Sequence, residues 1–254
     1  MAYTTIEFER KKGVGLVTLN RPSVGNTIDL QMALDLKELL CQIQKDDDLK
    51  IVVIEGKECF CRGEDPKESQ GGSIGDFLSN CDLAQALVGV DMPVIAAIEG
   101  DAMGIGLALA LACDIRIAST TAQFSVATPN QDQLLPTGIT QLLPRIVGRG
   151  KALEMLLLAN TLNADEALQI GLVHRLVPPG DVVNNAIELA EKMASKSIIS
   201  LKYAKETVCK GLDLTLDQGM RLECDMYMIM HTTHDRTEGI RAFLEKRPPN
   251  FSGA

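Results

Sequence analysis

The chain has 254 residues, 46% of them apolar and 23% charged, and carries a formal charge of −9. That length and apolar content suit one large unit with a real hydrophobic core, and exclude a disordered chain or a small scaffold that needs staples. The acidic balance argues against general nucleic-acid binding, which requires a basic face, so no nucleic-acid partner is expected.

In chain order, the opening MAYTTIEFERKKG has no apolar signal core and is too acidic for a transit peptide, so a cytoplasmic location is expected. "VGLVTLN" (14–20) reads as a strand closed by the Arg21-Pro22 turn. From Thr27 the apolar spacing becomes helical through Ile28, Met32, Leu36, Leu39, Leu40 and Ile43, until the charged run 45–50 ends it. "IVVIEG" (51–56) is continuously apolar, as a parallel strand covered on both faces should be. A Gly-rich, charged loop follows, then a helix over roughly 77–90, the buried strand "PVIAAIEG", a glycine turn with an apolar helix, and strands "DIRIAS" and "AQFSV". Strand and helix alternate through this first half, which predicts an α/β core of right-handed crossovers.

From Lys151 the spacing is mostly helical, with candidates at 151–160, 163–171, 181–195, 198–212, 216–231 and 238–246, and "LVHRLVP" as a strand-like interruption. The expected division is an α/β core over 1–148 and a helical C-terminal region over 149–254 that belongs to the same functional unit. The longest apolar run, Ile105 to Cys113, is too short to span a bilayer, so no membrane partner is expected. Seven cysteines at irregular spacing fit reduced thiols, and Cys59 with Cys61 lacks a second pair at zinc spacing, so no metal is expected. His231 and His234 with Asp235 have helical spacing that also suits exposed helix-end residues.

The stretch "AIEGDAMGIGLALALACDIRIAS" places Gly100, Gly104 and Gly106 between a strand and an apolar helix. The spacing and mid-chain position fail the dinucleotide fingerprint, and no Gly-Lys-Ser/Thr phosphate loop exists. Two readings remain. The glycines allow close strand–helix packing, or they expose the free N–H groups of a helix start to a substrate oxygen. Donors of the second kind stabilise an enolate or a tetrahedral oxyanion.

"GLVTLNRPSVGNTID", "CFCRGEDPKE", "PVIAAIEGDAMGIGLALALACDIRIAS", "AQFS", "LLPRIVGRGKALEMLL", "ADEALQIGLVHRLV" and "EGIRAFLEKRPPNF", in that order, resemble the crotonase, or enoyl-CoA hydratase/isomerase, superfamily nearly end to end. The resemblance implies the α/β crotonase (ClpP-like) fold, a spiral of repeated ββα units with a C-terminal helical trimerisation region. It implies a homotrimer or hexamer, an acyl-CoA or carrier-linked acyl substrate, and no required cofactor beyond the coenzyme A thioester itself. Two backbone N–H groups would polarise the thioester carbonyl, those of Glu64 after Gly63 and of Ile105 after Gly104. Cys61, Arg62 and Pro66 would border the adenine moiety, and Lys67 would lie near the CoA phosphates. Arg21 is a further phosphate candidate. Asp114 and His174 read as structural.

The family's hydratases use two glutamates. Their positions fall on Ala108 and on Thr128 or Pro129, none of which exchanges a proton usefully at neutral pH. Asp132, His234 and the Glu64 side chain are the remaining acid–base candidates. Loss of carbon dioxide from a malonyl-type thioester generates an enolate without a base, and "QFSVATPN" resembles the decarboxylase branch, whose active-site tyrosine falls at Thr137 or is missing. The expectation is therefore an acyl-thioester lyase or isomerase: a decarboxylase, or an atypical isomerase or hydratase. The rival is a non-catalytic acyl-CoA-binding protein.

Overall fold

A computed structural model of the chain describes residues 3–66, 82–126 and 137–253. Six strands form the main sheet in the order β1-β2-β3-β4-β6-β9: β1 (Ile6–Lys11), β2 (Val14–Leu19), β3 (Ile51–Gly56), β4 (Val94–Ile98), β6 (Ile115–Ser119) and β9 (Arg175–Val177). A second sheet has the order β5-β7-β8: β5 (Asp101–Met103), β7 (Gln123–Ser125) and β8 (Leu162–Asn163). Among the described residues only β1 lies antiparallel in the main sheet, as a hairpin on β2; β2, β3, β4, β6 and β9 run parallel.

The helices between the strands explain this topology. Helix α1 (Leu30–Ile43) starts where the Asp29 carboxylate accepts the Met32 N–H at 2.8 Å, a side-chain N-cap. Its apolar stripe, Met32, Leu36, Leu39, Leu40 and Ile43, is buried. On its other side Asp35 accepts the Thr5 hydroxyl at 2.7 Å and the main-chain N–H groups of Thr4 and Thr5, which pins the N-terminal segment. Burial opposes ionisation of Asp35, yet these bonds and one from Gln31 hold its carboxyl below the usual range.

Helix α2 is described over 82–88. Strands β4 and β5 precede helix α3 (Ile105–Ala112), and β6 and β7 precede α4 (Ile139–Val147). Each turn thus sends its first strand to the large sheet and its second to the small one. The preceding turn shows the same habit, because Cys61, beyond β3, bridges Ala102 of β5. This is the spiral of ββα units that the resemblance implied.

The expected division at 148/149 does not separate the packing. Strand β9 completes the main sheet, and β8 completes the second. In the chain α5 (Arg149–Leu158) precedes β8, and α6 (Ala164–Gln169) lies between β8 and β9. Helix α7 (Val182–Ala194) buries Val182, Ala186, Ala190 and Ala194 against Val53, Ile95, Ala97 and Ile117 of the main sheet. Alanines four apart form one narrow face on which the helix can approach the strands closely. The helical arm proper is α8 (Ile198–Gly211), α9 (Leu216–Met230) and α10 (His234–Glu245). Lys205 of α8 ties it to the sheet through Asp114 at 2.7 Å and the Met92 carbonyl at 3.0 Å.

Candidate oxyanion site

The first loop lies between two other segments and is stitched to both. On one side Arg62 N–H donates to Gly25 at 3.0 Å, Ile28 N–H to Gly63 at 2.8 Å, and Asp65 N–H to Ile28 at 3.0 Å. On the other side Phe60 N–H donates to Glu99 at 2.7 Å, Cys61 N–H to Asp101 at 3.0 Å, and Met103 N–H to Cys61 at 3.0 Å. Ile28 pairs in parallel with Glu64 and bonds only its flanking residues. The N–H of Glu64 itself is therefore turned to the opposite edge of the segment, because successive amides of an extended chain alternate.

The second loop is built by glycine. Gly104 has φ 50° and ψ −122°, a conformation open to a residue without Cβ. Its own N–H is consumed by the Ser125 carbonyl at 2.9 Å, and its carbonyl accepts from Ala108 N–H at 3.0 Å. Ile105 then opens α3, and among the described residues no acceptor is recorded for its N–H. Gly106 is required by proximity: a Cβ there would lie 2.4 Å from the Cys61 carbonyl and 2.7 Å from the Cys61 Sγ. The start of α3 thus presses directly on the first loop. The helix dipole adds partial positive charge at that point.

Cys61 is wholly buried, and burial pushes its thiol up to about 12. With its main-chain groups also engaged, Cys61 spaces the two loops rather than presenting a surface to a ligand, which corrects the expectation that it borders one. Arg62 and Pro66 are exposed on the loop, and Arg62 Nε meets Asp101 at 2.9 Å. Gly63 is buried beside the Met103 carbonyl, and the Glu64 side chain is buried too. Lys67, Asp132, Thr128 and Pro129 lie outside the described residues.

Ala108 stands one turn into α3 and is fully buried, and the Ile105 side chain packs in the same core. His234 is the exposed first residue of α10, a helix without extensive packing on α3 or β5, so the fold of the chain does not bring it to the loops. His231 packs edge-on against Tyr227, and Asp235 holds the C-terminal tail through Ser252 and Gly253.

Arg21 turns inward rather than toward a phosphate. Its Nη2 meets Asp65 at 2.9 Å and Asp29 at 3.0 Å, and its Nη1 donates to the Thr27 carbonyl. It braces the first loop to the start of α1. Apart from the acids at 29 and 65, nothing in the residue pattern signals this role. Asp114 and His174 are structural, as expected: Asp114 accepts the Val94 N–H at 2.7 Å, and His174 Nδ1 accepts the Arg116 N–H at 3.1 Å. Burial, then the Arg116 charge, push the His174 pKa below its ordinary value. The hydroxyls of Thr27 and Thr137 are buried with no hydrogen-bond partner among the described residues. Such groups are costly unless something polar meets them.

A family model described as enoyl-CoA hydratase/isomerase matches residues 9–254. "Probable enoyl-CoA hydratase, mitochondrial" of Dictyostelium discoideum is 38% identical over 98% of this chain and 91% of its own length. The (E)-benzylidenesuccinyl-CoA hydratase of Thauera aromatica is 35% identical over 98% of this chain and 99% of its own. A crystal structure of enoyl-CoA hydratase from Bacillus anthracis superposes with a TM-score of 0.95 at 34% identity, covering 99% of this chain and all of that one. Fold, loop construction and relatives agree: the chain has the crotonase fold and belongs to the enoyl-CoA hydratase/isomerase family.

Proposed function

We propose that this protein binds an acyl-CoA or carrier-linked acyl thioester with its carbonyl oxygen between the N–H groups of Glu64 and Ile105, and decarboxylates a malonyl-type acyl group. The supporting observation is the pair of loops stitched together by hydrogen bonds, with the start of α3 pressed on the first by Gly106. As the carboxylate departs as neutral carbon dioxide, the electrons of its C–C bond pass to the α-carbon and into the thioester, and the oxygen becomes an enolate facing the two amides. A proton from solvent then adds to the α-carbon. Oriented donors at such an oxygen are each worth roughly 10²–10³ in rate.

Alanine at 108 favours this route over hydration, since a methyl group cannot move the protons that adding water requires. The buried hydroxyl of Thr137, with no partner among the described residues, offers a polar group where the resemblance places a tyrosine in the decarboxylase branch. An isomerisation or hydration using Asp132 and a silent acyl-CoA binder are the rival outcomes. No resident cofactor enters these steps, and a reducing, cytoplasmic setting accords with the buried free thiols of Cys61 and Cys113.

The test is turnover of malonyl-CoA and methylmalonyl-CoA beside crotonyl-CoA. Carbon dioxide release should exceed hydration by at least about tenfold, given what acid–base groups contribute. Faster hydration of crotonyl-CoA would defeat the decarboxylase reading, and binding without turnover would identify a binder.

We also propose that copies of the chain assemble on the helical arm, as a trimer or hexamer. Leu216 and Phe243 are each 82% exposed, and a groove of about 920 Å³ between α8 and α9 is lined by Tyr203, Val208, Leu212, Met220 and Tyr227. So much exposed apolar surface marks an interface rather than a free face. Sedimentation at micromolar concentration should find three or six chains of 27.5 kDa; a stable monomer would refute the assembly.

A further inference from the structure

Arg116 is the second residue of β6 (IRIAS) and is 4% exposed. A buried guanidinium is costly unless its donors are satisfied. Here main-chain oxygens meet it: Nε donates to the Leu172 carbonyl at 2.6 Å, and Nη1 to the carbonyls of Cys113 at 2.6 Å and Ala110 at 3.3 Å. Asp114, two residues before it, is committed to Lys205. Two of the three acceptors end α3: Ala110 is in its last turn, and Cys113 is its C-cap. The same helix opens with Ile105.

Helix α3 has eight residues, so its ends are separated by about 12 Å. Its C-terminal carbonyls carry partial negative charge that would oppose an anion at the other end, and a cation seated on them cancels that opposition. The guanidinium is always charged and its planar donors fix direction.

We infer that Arg116 is a positioning residue for the oxyanion site: by capping the C-terminal carbonyls of α3 with a buried positive charge, it sets the place and strengthens the field of the Ile105 N–H. This rests on the reading of that amide as an oxyanion donor. Arg116 touches no substrate; it acts through the helix.

The experiment uses acetoacetyl-CoA, whose enolate absorbs in the near ultraviolet, and butyryl-CoA, whose acyl group does not ionise. Both are bound to the whole protein and to Arg116→Met and Arg116→Lys. For Arg116→Met, binding of the acetoacetyl-CoA enolate should weaken by about 3- to 10-fold, with the apparent pKa of the bound ligand rising accordingly, while butyryl-CoA affinity changes less than about twofold. Arg116→Lys should recover part of the enolate binding, because it restores the charge without the full set of donors. Equal losses for both ligands, or no loss for either, would overturn the inference and leave Arg116 a packing residue. Should Arg116→Met fail to fold, Arg116→Lys decides by the same comparison, with a selective loss of enolate binding expected. Wild-type protein that binds neither CoA ester, or that does not promote ionisation of bound acetoacetyl-CoA, would overturn the oxyanion reading itself.

Discussion

Gly106→Ala should lower stability by about 1–3 kcal/mol and weaken acyl-CoA binding by at least about tenfold. The added methyl carbon would lie 2.4 Å from the Cys61 carbonyl oxygen, which cannot recede freely because it already accepts the Met103 N–H at 3.0 Å. Relief must come from separating the two loops, so the damage reaches the Ile105 amide. Gly150→Ala is the matched control, since nothing lies within 4 Å of a Cβ there. That substitution should be neutral or slightly stabilising. Thermal melts and titration with butyryl-CoA check both; a Gly106→Ala protein that melts and binds like wild type would show that the loops are not in forced contact.

Arg21→Met is expected to cost about 2–4 kcal/mol in urea denaturation, somewhat below a fully buried pair. The guanidinium side chain is 21% exposed, which moderates the loss, but Asp65 at 8% keeps a buried charge whose strong cationic partner is gone. Asp29 is buffered by its second task of accepting from Met32 N–H. The first loop should loosen with the ion pairs, so thioester affinity falls together with stability. Arg21→Lys should recover part of the stability, because one ammonium cannot reproduce the guanidinium's fork on two carboxylates and a carbonyl. A change within about 0.5 kcal/mol for Arg21→Met would mean the cluster is merely a surface salt bridge.

The parallel strands were legible because each is a short, unbroken apolar run bounded by turn residues, as "IVVIEG" and "VIAAI" are. Strand β1 escaped because "IEFERK" is an edge strand with one buried residue, and charge dilutes its alternation. Strand β5 escaped because its three residues sit inside what reads as a glycine turn; only pairing with β7 makes it a strand. Helix α4 has Pro144 in its interior and glycines at both ends, signals that argue against a helix until tertiary packing overrides them. The final helix begins at His234 rather than Glu238, since Thr233 accepts the Arg236 N–H and starts it earlier.

At the site, the glycines announced the second loop and the resemblance located the first. The two arginines were misread or passed over for one reason. A long cationic side chain reaches several ångströms from its Cα, and sequence does not say in which direction. Arg21 looked like a phosphate hook and is a brace. Arg116 interrupts the apolar "DIRIAS", an anomaly that signals a buried charge with a dedicated set of acceptors.

Strand order also bears on how the polypeptide emerges during synthesis. The last strand of each sheet is made late: β8 at residues 162–163 closes on β7, and β9 at 175–177 closes on β6. A nascent chain halted after the second glycine loop has the two amides but neither closing strand, so its sheets present open edges. Completion must wait for about two-thirds of translation, and until then those edges are a target for chaperones rather than for thioesters.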